Sequence, residues 1–156
     1  MVDSISALTV WQPWASLILA GAKPIEWRSY PFPVRMVGSR IAIHAGARPL
    51  RKSEVKALLF DLRHDGEPGT SLVPSIAIPL LESWHTSPGS IPLSTVLCTA
   101  ILGAPIPAGT YAKSRGIDSD RIDHGKWGWP LTEIVPVIPM APARGAQGFW
   151  KWTPHV

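Results

Sequence analysis

The residues best suited to chemistry lie close together near the start of the chain. Lys23, Glu26 and Arg28 follow Gly21 in the stretch Gly-Ala-Lys-Pro-Ile-Glu-Trp-Arg. A carboxylate accepts a hydrogen bond from the exocyclic amine of a nucleobase, and a guanidinium pairs with a phosphate or a base edge. A lysine amine binds a phosphate or a carbonyl, and its pKa falls when the site removes it from water. The pattern therefore indicates a site for a nucleotide-like ligand.

Each of these residues also has a structural interpretation. Lys23 stands just beyond a predicted helix end, where it would satisfy the last carbonyl groups of the helix. Glu26 and Arg28 share one face of an extended segment and would form an ion pair there. The two interpretations of the pair are compatible, because an arginine that fixes a glutamate also orients it.

Tryptophan is frequent, with 8 residues in the chain. Stacking of a base on an aromatic ring contributes about 1–3 kcal/mol in single-strand binders, although tryptophan also commonly fills small cores. The stacking candidates are Trp11, Trp14, Trp127 and Trp129. The pair at 127 and 129 is the preferred platform, because Lys126 and two glycines flank it. Arg144 provides a second basic loop.

Two further side chains are candidates for proton transfer. His44 lies on a predicted strand and is a candidate general base, with a hydrogen-bonded structural histidine as the alternative. Tyr30, two residues after Arg28, is the second candidate. The five histidines show no metal-ligand spacing and there is one cysteine, so the sequence predicts neither a metal nor a cofactor.

The elements that must position these residues are short. The pattern predicts strands at 7–10, 25–28 and 40–44, and a helix that begins at Pro13 and ends at Gly21. A second helix begins near Ser53, and strands follow at 94–102, 131–137 and 148–152. The stretch 63–91 is interpreted as an insertion with about one turn of helix, and 103–128 as mostly loop. The fold class predicted is α+β, mainly β, with five or six strands.

Composition limits the possible partners. The 156 residues fit one domain, 1–156, and the formal charge of +4 attracts polyanions only mildly. Affinity for nucleic acid would have to come from a shaped site, because no long basic run exists. Cys98 is the single cysteine, which excludes an intrachain disulfide and favours a reducing compartment. No apolar run is long enough for a bilayer, so the expectation is a soluble cytoplasmic protein without a membrane partner.

The motif at 21–28 recurs with others in a recognisable order. It is preceded by Trp-Gln-Pro-Trp-Ala at 11–15 and followed by Ile-Ala-Ile-His-Ala at 41–45. Gly-Lys-Trp-Gly-Trp at 125–129 comes next, then Leu-Thr-Glu at 131–133 and Arg-Gly-Ala-Gln-Gly-Phe-Trp at 144–150. In this combination the chain resembles the ASCH family, whose hallmark is a helix-ending Gly-x-Lys-x-x-Glu-x-Arg. The resemblance covers both ends of the chain and leaves 63–91 uncovered, as a family-variable insertion.

The resemblance implies a PUA-like small β-barrel with flanking helices and a cleft between helix and sheet. Members of the family are proposed to bind RNA or modified nucleotides, some bacterial relatives are ribonucleases, and a smaller branch consists of amidohydrolases of acylated cytidines. That branch uses a lysine, a threonine and a glutamate. Lys23 matches the lysine, whereas Glu26 stands in the place of the threonine.

Three functions therefore remain open from the sequence. The first is binding of RNA or a nucleotide, with Lys23, Glu26 and Arg28 on the base, while an aromatic platform stacks on it and Lys126 and Arg144 hold phosphates. The second is a hydrolase in the same cleft, either a ribonuclease that uses Lys23, Tyr30 or His44, or an amidohydrolase of a modified nucleoside such as N4-acylcytidine. The third is a protein-binding domain that uses its aromatic surface.

Overall fold

The computed structural model describes residues 3–114 and 126–154, which form one sheet and a set of helices. The strands are β1 (Ile5–Val10), β2 (Ile25–Arg28), β3 (Arg40–Ala45), β4 (Thr95–Leu102), β5 (Ile106–Pro107), β6 (Trp127–Pro142) and β7 (Phe149–Trp152). The helices are α1 (Trp14–Leu19), α2 (Lys52–Thr70), α3 (Pro74–Thr86) and α4 (Ala108–Ser114). Short 3-10 turns occupy Val34–Met36 and Pro88–Ser90.

The sheet has seven strands and is mostly antiparallel. Its order is β2-β6-β4-β3-β1-β7, with β5 paired to β6, and among these described strands only the pair β1 and β3 is parallel. The predicted α+β class is therefore confirmed, whereas the predicted number of five or six strands is wrong, because the short β5 brings the described strands to seven. Within the described ranges the path of paired strands is open, with β2 at one end and β7 at the other.

The sheet curves so that side chains from distant strands meet over one apolar core. The ring of Trp129 on β6 stacks on that of Phe149 on β7, with centroids 5.6 Å apart. Buried aliphatic residues of β1, β3 and β4 complete this core, together with α1. The curvature places the end of β2 beside β1, which is what brings the candidate residues together.

A second core lies between α2 and α3, where the sequence analysis placed an insertion with only about one turn of helix. The expected helix content of 63–91 is wrong, because the region forms most of a helical hairpin. Gly66, with a φ of 62°, interrupts α2, and Pro74 occupies the first turn of α3, where proline is well tolerated. Ala77 and Leu81, four residues apart, pack against the apolar face of α2. This packing therefore outweighs the low local helix propensity of the stretch.

Other boundaries follow the sequence pattern closely. The strand predicted at 25–28 is β2, and α1 ends before Gly21, whose φ is 79°. The strand predicted at 131–137 is part of the longer β6. In the predicted loop 103–128, β5 and α4 are present, and 115–125 lie outside the described residues. No helix in the described part of the chain is both long enough and apolar enough to span a bilayer.

Candidate functional site

The carboxylate of Glu26 is held between two cations. Its Oε2 accepts a hydrogen bond from Nη2 of Arg28 at 2.9 Å, and its Oε1 lies 3.4 Å from Nζ of Lys23. The side chain of Glu26 is only 9% exposed, so these contacts form largely away from water. The three residues of the sequence motif therefore form one cluster.

Lys23 is the buried member of this cluster. Its Nζ donates a hydrogen bond to the carbonyl oxygen of Ile25 at 2.6 Å and lies 5.3 Å from the centroid of the Trp14 ring. Burial lowers the pKa of Lys23 below its usual value, and the nearby Glu26 carboxylate opposes this shift. An amine in this setting releases a proton more easily than a surface lysine.

Arg28 links the cluster to β1. Its Nη2 donates to Thr9 O at 3.0 Å as well as to Glu26. Its Nε is shielded from solvent and has no hydrogen-bond partner among the described residues. Protein atoms cover this N–H, whereas the Arg28 side chain as a whole is 25% exposed, so a ligand would contact its exposed part.

Trp129 lies beneath Arg28 and is a core residue. The Arg28 guanidinium is 5.8 Å from the centroid of its ring, and Phe149 stacks on the ring. Its Nε1 donates to the carbonyl oxygen of Tyr30, and its exposed fraction is 0%. The prediction that Trp129 stacks on a base is corrected by this burial, because protein groups surround the ring in this conformation.

The other predicted binding residues are spread around the cluster. Trp14 is half-buried and shields Lys23, while Trp127 is half-buried and pairs in register with Arg28. Lys126 is exposed and comes directly before Trp127. Arg144 is exposed in the loop between β6 and β7. Their placement is compatible with ligand contacts at the rim of the cluster.

His44 belongs to a hydrogen-bonded network beside the cluster. Its Nε2 lies 2.7 Å from Ala143 O, which can only accept, so Nε2 carries the hydrogen in the neutral ring. Its Nδ1 then accepts from the hydroxyl of Thr9 at 3.1 Å, and that hydroxyl accepts from Trp150 Nε1 at 3.0 Å. Burial lowers the pKa of His44, and the hydrogen bond to Ala143 opposes the shift. Both ring nitrogens are engaged, which favours the structural interpretation of this residue.

Tyr30 is 46% exposed, and its ring meets the edge of Trp129 at a centroid distance of 5.7 Å. Because Arg28 contacts the same tryptophan, Tyr30 stands near the rim of the cluster. Tyr30 is thus connected to the cluster through Trp129, whereas His44 is connected to it through Thr9.

Two positioning residues escaped the sequence analysis. Thr9 connects Arg28, through its carbonyl, with His44, through its hydroxyl, yet in the sequence it is one more β-branched residue of a strand. Gln12 is 1% exposed, and its amide bonds Ser16 at the start of α1 and the carbonyl of Pro92. The Gln-Pro-Trp motif was a signal for Gln12, whereas no pattern distinguished Thr9.

The cluster carries two potential positive charges and one negative charge. Such a set favours a ligand that offers acceptor groups and a negative charge. In the ranges that the structure describes, no group of three or more metal-ligating side chains occurs.

Comparison of the chain with protein-family models and with curated proteins finds no match.

Proposed function

We propose that the chain is a PUA-like RNA- or nucleotide-binding domain that recognises a base through Glu26 and Arg28. The observation that carries this proposal is the Glu26–Arg28 pair, in which an almost buried carboxylate is oriented by Arg28, whose side chain is 25% exposed. The exposed part of Arg28 would donate to a ligand acceptor placed beside Glu26.

Glu26 supplies the complementary acceptor. An ionised carboxylate has about four lone-pair sites, and the two cations occupy one on each oxygen. A donor on Arg28 next to an acceptor on Glu26 fits a ligand edge that carries an acceptor next to a donor. Adenine and cytosine present such an edge, with a ring nitrogen beside an exocyclic amine.

The test is the affinity for the four nucleoside monophosphates, measured by calorimetry for the wild type and for Glu26→Gln. We expect the variant to lose at least about tenfold in affinity, because a neutral amide pairs less well with Arg28 and with a ligand amine. Glu82→Gln is the matched control, since Glu82 forms an exposed ion pair with Arg63 and the charge change is identical. Equal affinities for the wild type and Glu26→Gln would refute the proposal.

A second function is supported by the environment of Lys23. A buried amine with a lowered pKa, 3.4 Å from a carboxylate, has the chemistry of an acid–base pair and suits a hydrolase that acts on RNA or on a modified nucleoside such as N4-acylcytidine. The proposal is tested by incubating the protein with N4-acetylcytidine and with single-stranded RNA, with Lys23→Met beside Lys56→Met on the exposed face of α2. Turnover that only Lys23→Met abolishes would support the enzyme. Binding without turnover would leave the binding function alone.

A further inference from the structure

Trp11 is the most unusual exposed side chain near the cluster. It directly follows β1, and its exposed fraction is 59%, whereas Trp129 is fully buried. A tryptophan loses favourable transfer free energy when it stays in water, so one held in the open at a candidate site needs a reason.

The exposed ring is held next to a positive charge. The guanidinium carbon of Arg48 lies 4.6 Å from the ring centroid of Trp11, within the range of a cation–π contact. Two nitrogens of Arg48 also bond the two carboxylate oxygens of Glu54 at the start of α2. Because this fork fixes the guanidinium, the Arg48–Trp11 pair is preorganised rather than free to rotate.

The ring lies near Thr9, the residue that anchors Arg28. A Cβ added at Gly46 would lie 3.3 Å from both Thr9 Cγ2 and Trp11 Cδ1, so the side chains of Thr9 and Trp11 flank the same glycine. The carbonyl of Thr9 is the group that holds Arg28. Thr9 and Trp11 are two residues apart, and two residues of extended chain span roughly 6–7 Å between Cα atoms. The backbone of Trp11 therefore lies about this far from the residue that holds Arg28.

Exposed basic side chains lie in the chain segments next to Arg48 and Thr9. Arg51 and Lys52 are exposed directly after the segment of Arg48. Arg144 is exposed beside Gly145, where an added Cβ would lie 2.4 Å from Thr9 Oγ1. An aromatic ring with cations around it matches a base with its phosphates, whereas a protein contact would favour apolar neighbours.

We propose that Trp11 is a second subsite, which stacks on the neighbouring base of a single-stranded nucleic acid whose first base is held by Glu26 and Arg28. This inference rests on the proposed binding function and deepens it, because it makes the ligand a strand of at least two nucleotides. Arg48 stiffens the platform, and the exposed cations on either side contact the phosphates.

The test compares a mononucleotide with a longer ligand of the same base. The probes are the nucleoside monophosphate that binds best and the single-stranded hexanucleotide of that base, titrated against wild type, Trp11→Ala and Trp11→Phe. Stacking contributes about 1–3 kcal/mol per base, so Trp11→Ala should weaken hexanucleotide binding by about 5- to 150-fold and leave mononucleotide affinity within about twofold. Trp11→Phe keeps an aromatic face and should lose less.

Phe60 provides the matched control, because it is 60% exposed on α2 and stacks on His64. Phe60→Ala should change neither affinity. If Trp11→Ala binds the hexanucleotide as the wild type does, while the mononucleotide still binds, the second subsite is refuted and the first stands. If the wild type binds neither probe, both proposals fail. Loss of self-association in Trp11→Ala, with nucleotide binding unchanged, would assign the ring to a protein contact and overturn the subsite.

Discussion

Nη2 of Arg28 donates a hydrogen bond to the carbonyl oxygen of Thr9 at 3.0 Å and thereby joins β2, at one end of the sheet path, to β1 near the other end. The same nitrogen bonds Glu26, so one side chain both orients the carboxylate and fixes the curvature of the sheet. The chemistry of the site and the shape of the sheet are therefore coupled through Arg28.

Replacing Arg28 should destabilise the protein more than replacing an arginine of a surface ion pair. Arg28→Gln leaves the buried Glu26 with one cation fewer and removes the bond to Thr9, and hydrogen bonds to charged groups contribute about 1.5–3 kcal/mol. The measurement is the free energy of unfolding in urea. Arg63→Gln, at the exposed pair with Glu82, should cost no more than about 1 kcal/mol. Equal losses in the two variants would contradict this prediction.

Stability should rise with alkaline pH because of Lys23. Its folded-state pKa lies below the usual 10.5, so between the two values the unfolded chain binds more protons. The free energy of unfolding therefore increases as pH rises from the folded pKa of Lys23 toward 10.5, and below the folded pKa this contribution is constant. Urea unfolding at a series of pH values should show a smaller rise for Lys23→Met than for Lys56→Met. If the free energy of unfolding rises equally with pH in the two variants, Lys23 is not the cause of the rise.

Mild acid should destabilise the protein through His44. Burial lowers the pKa of His44 below the usual 6.5 in the folded protein. As pH falls, the imidazole is therefore protonated in the unfolded chain before it is protonated in the folded one. The free energy of unfolding should decrease from pH 6.5 down through the folded pKa of His44. His44→Gln should flatten this part of the profile, while His85→Gln on α3 should keep it. If His44→Gln unfolds with the same pH dependence as the wild type, His44 is not the group that causes the loss of stability in acid.

Gly145 should not tolerate a side chain. A Cβ there would lie 2.4 Å from Thr9 Oγ1 and 2.8 Å from two atoms of His44. Gly145→Ala should therefore cost about 1–3 kcal/mol of stability, the usual range for overpacking. Gly89→Ala is the control, since a Cβ at Gly89 meets no atom within 4 Å. Thermal unfolding of both variants measures the difference, and an unchanged midpoint for Gly145→Ala would refute the predicted overlap.

Cys98 should resist thiol reagents in the folded protein. It is fully buried on β4, and burial raises the pKa of its thiol to about 12, so very little thiolate is present near pH 8. Labelling with an aromatic disulfide at pH 8 should be slow in buffer and rapid in denaturing urea. Rapid labelling of the folded chain would contradict the burial of this residue.

The sequence predicted the motif and its strand better than the surroundings. The stretch 25–28 could be identified because Pro24 forces an extended segment and the charges at 26 and 28 alternate with apolar residues. The start of α2 was predicted from Ser53, but the rest of the α2–α3 hairpin was not, because these helices depend on packing against each other across a stretch whose composition is typical of loops. Local propensity is a weak guide wherever tertiary contacts supply the stability.

The tryptophans of the candidate site also show how little local composition predicts about tertiary contacts. Glycines and a lysine beside Trp129 made it look like a platform, yet its register opposite Glu26 on β2 places its ring in the core. Trp11 had no comparable neighbours in the sequence and is the exposed ring. Which side of a sheet a ring occupies depends on strand pairing, which local composition does not encode.

The hairpin of α2 and α3 also contacts the backbone that leads into the motif. Its Val73 N–H bonds the carbonyl of Ala22 at 2.9 Å, and Ala22 and Leu17 are buried with the hairpin residues. Ala22 immediately precedes Lys23, so this hydrogen bond fixes the backbone next to the residue that carries the amine. A part of the chain that carries none of the motif thus serves as a splint for the turn from which the motif begins.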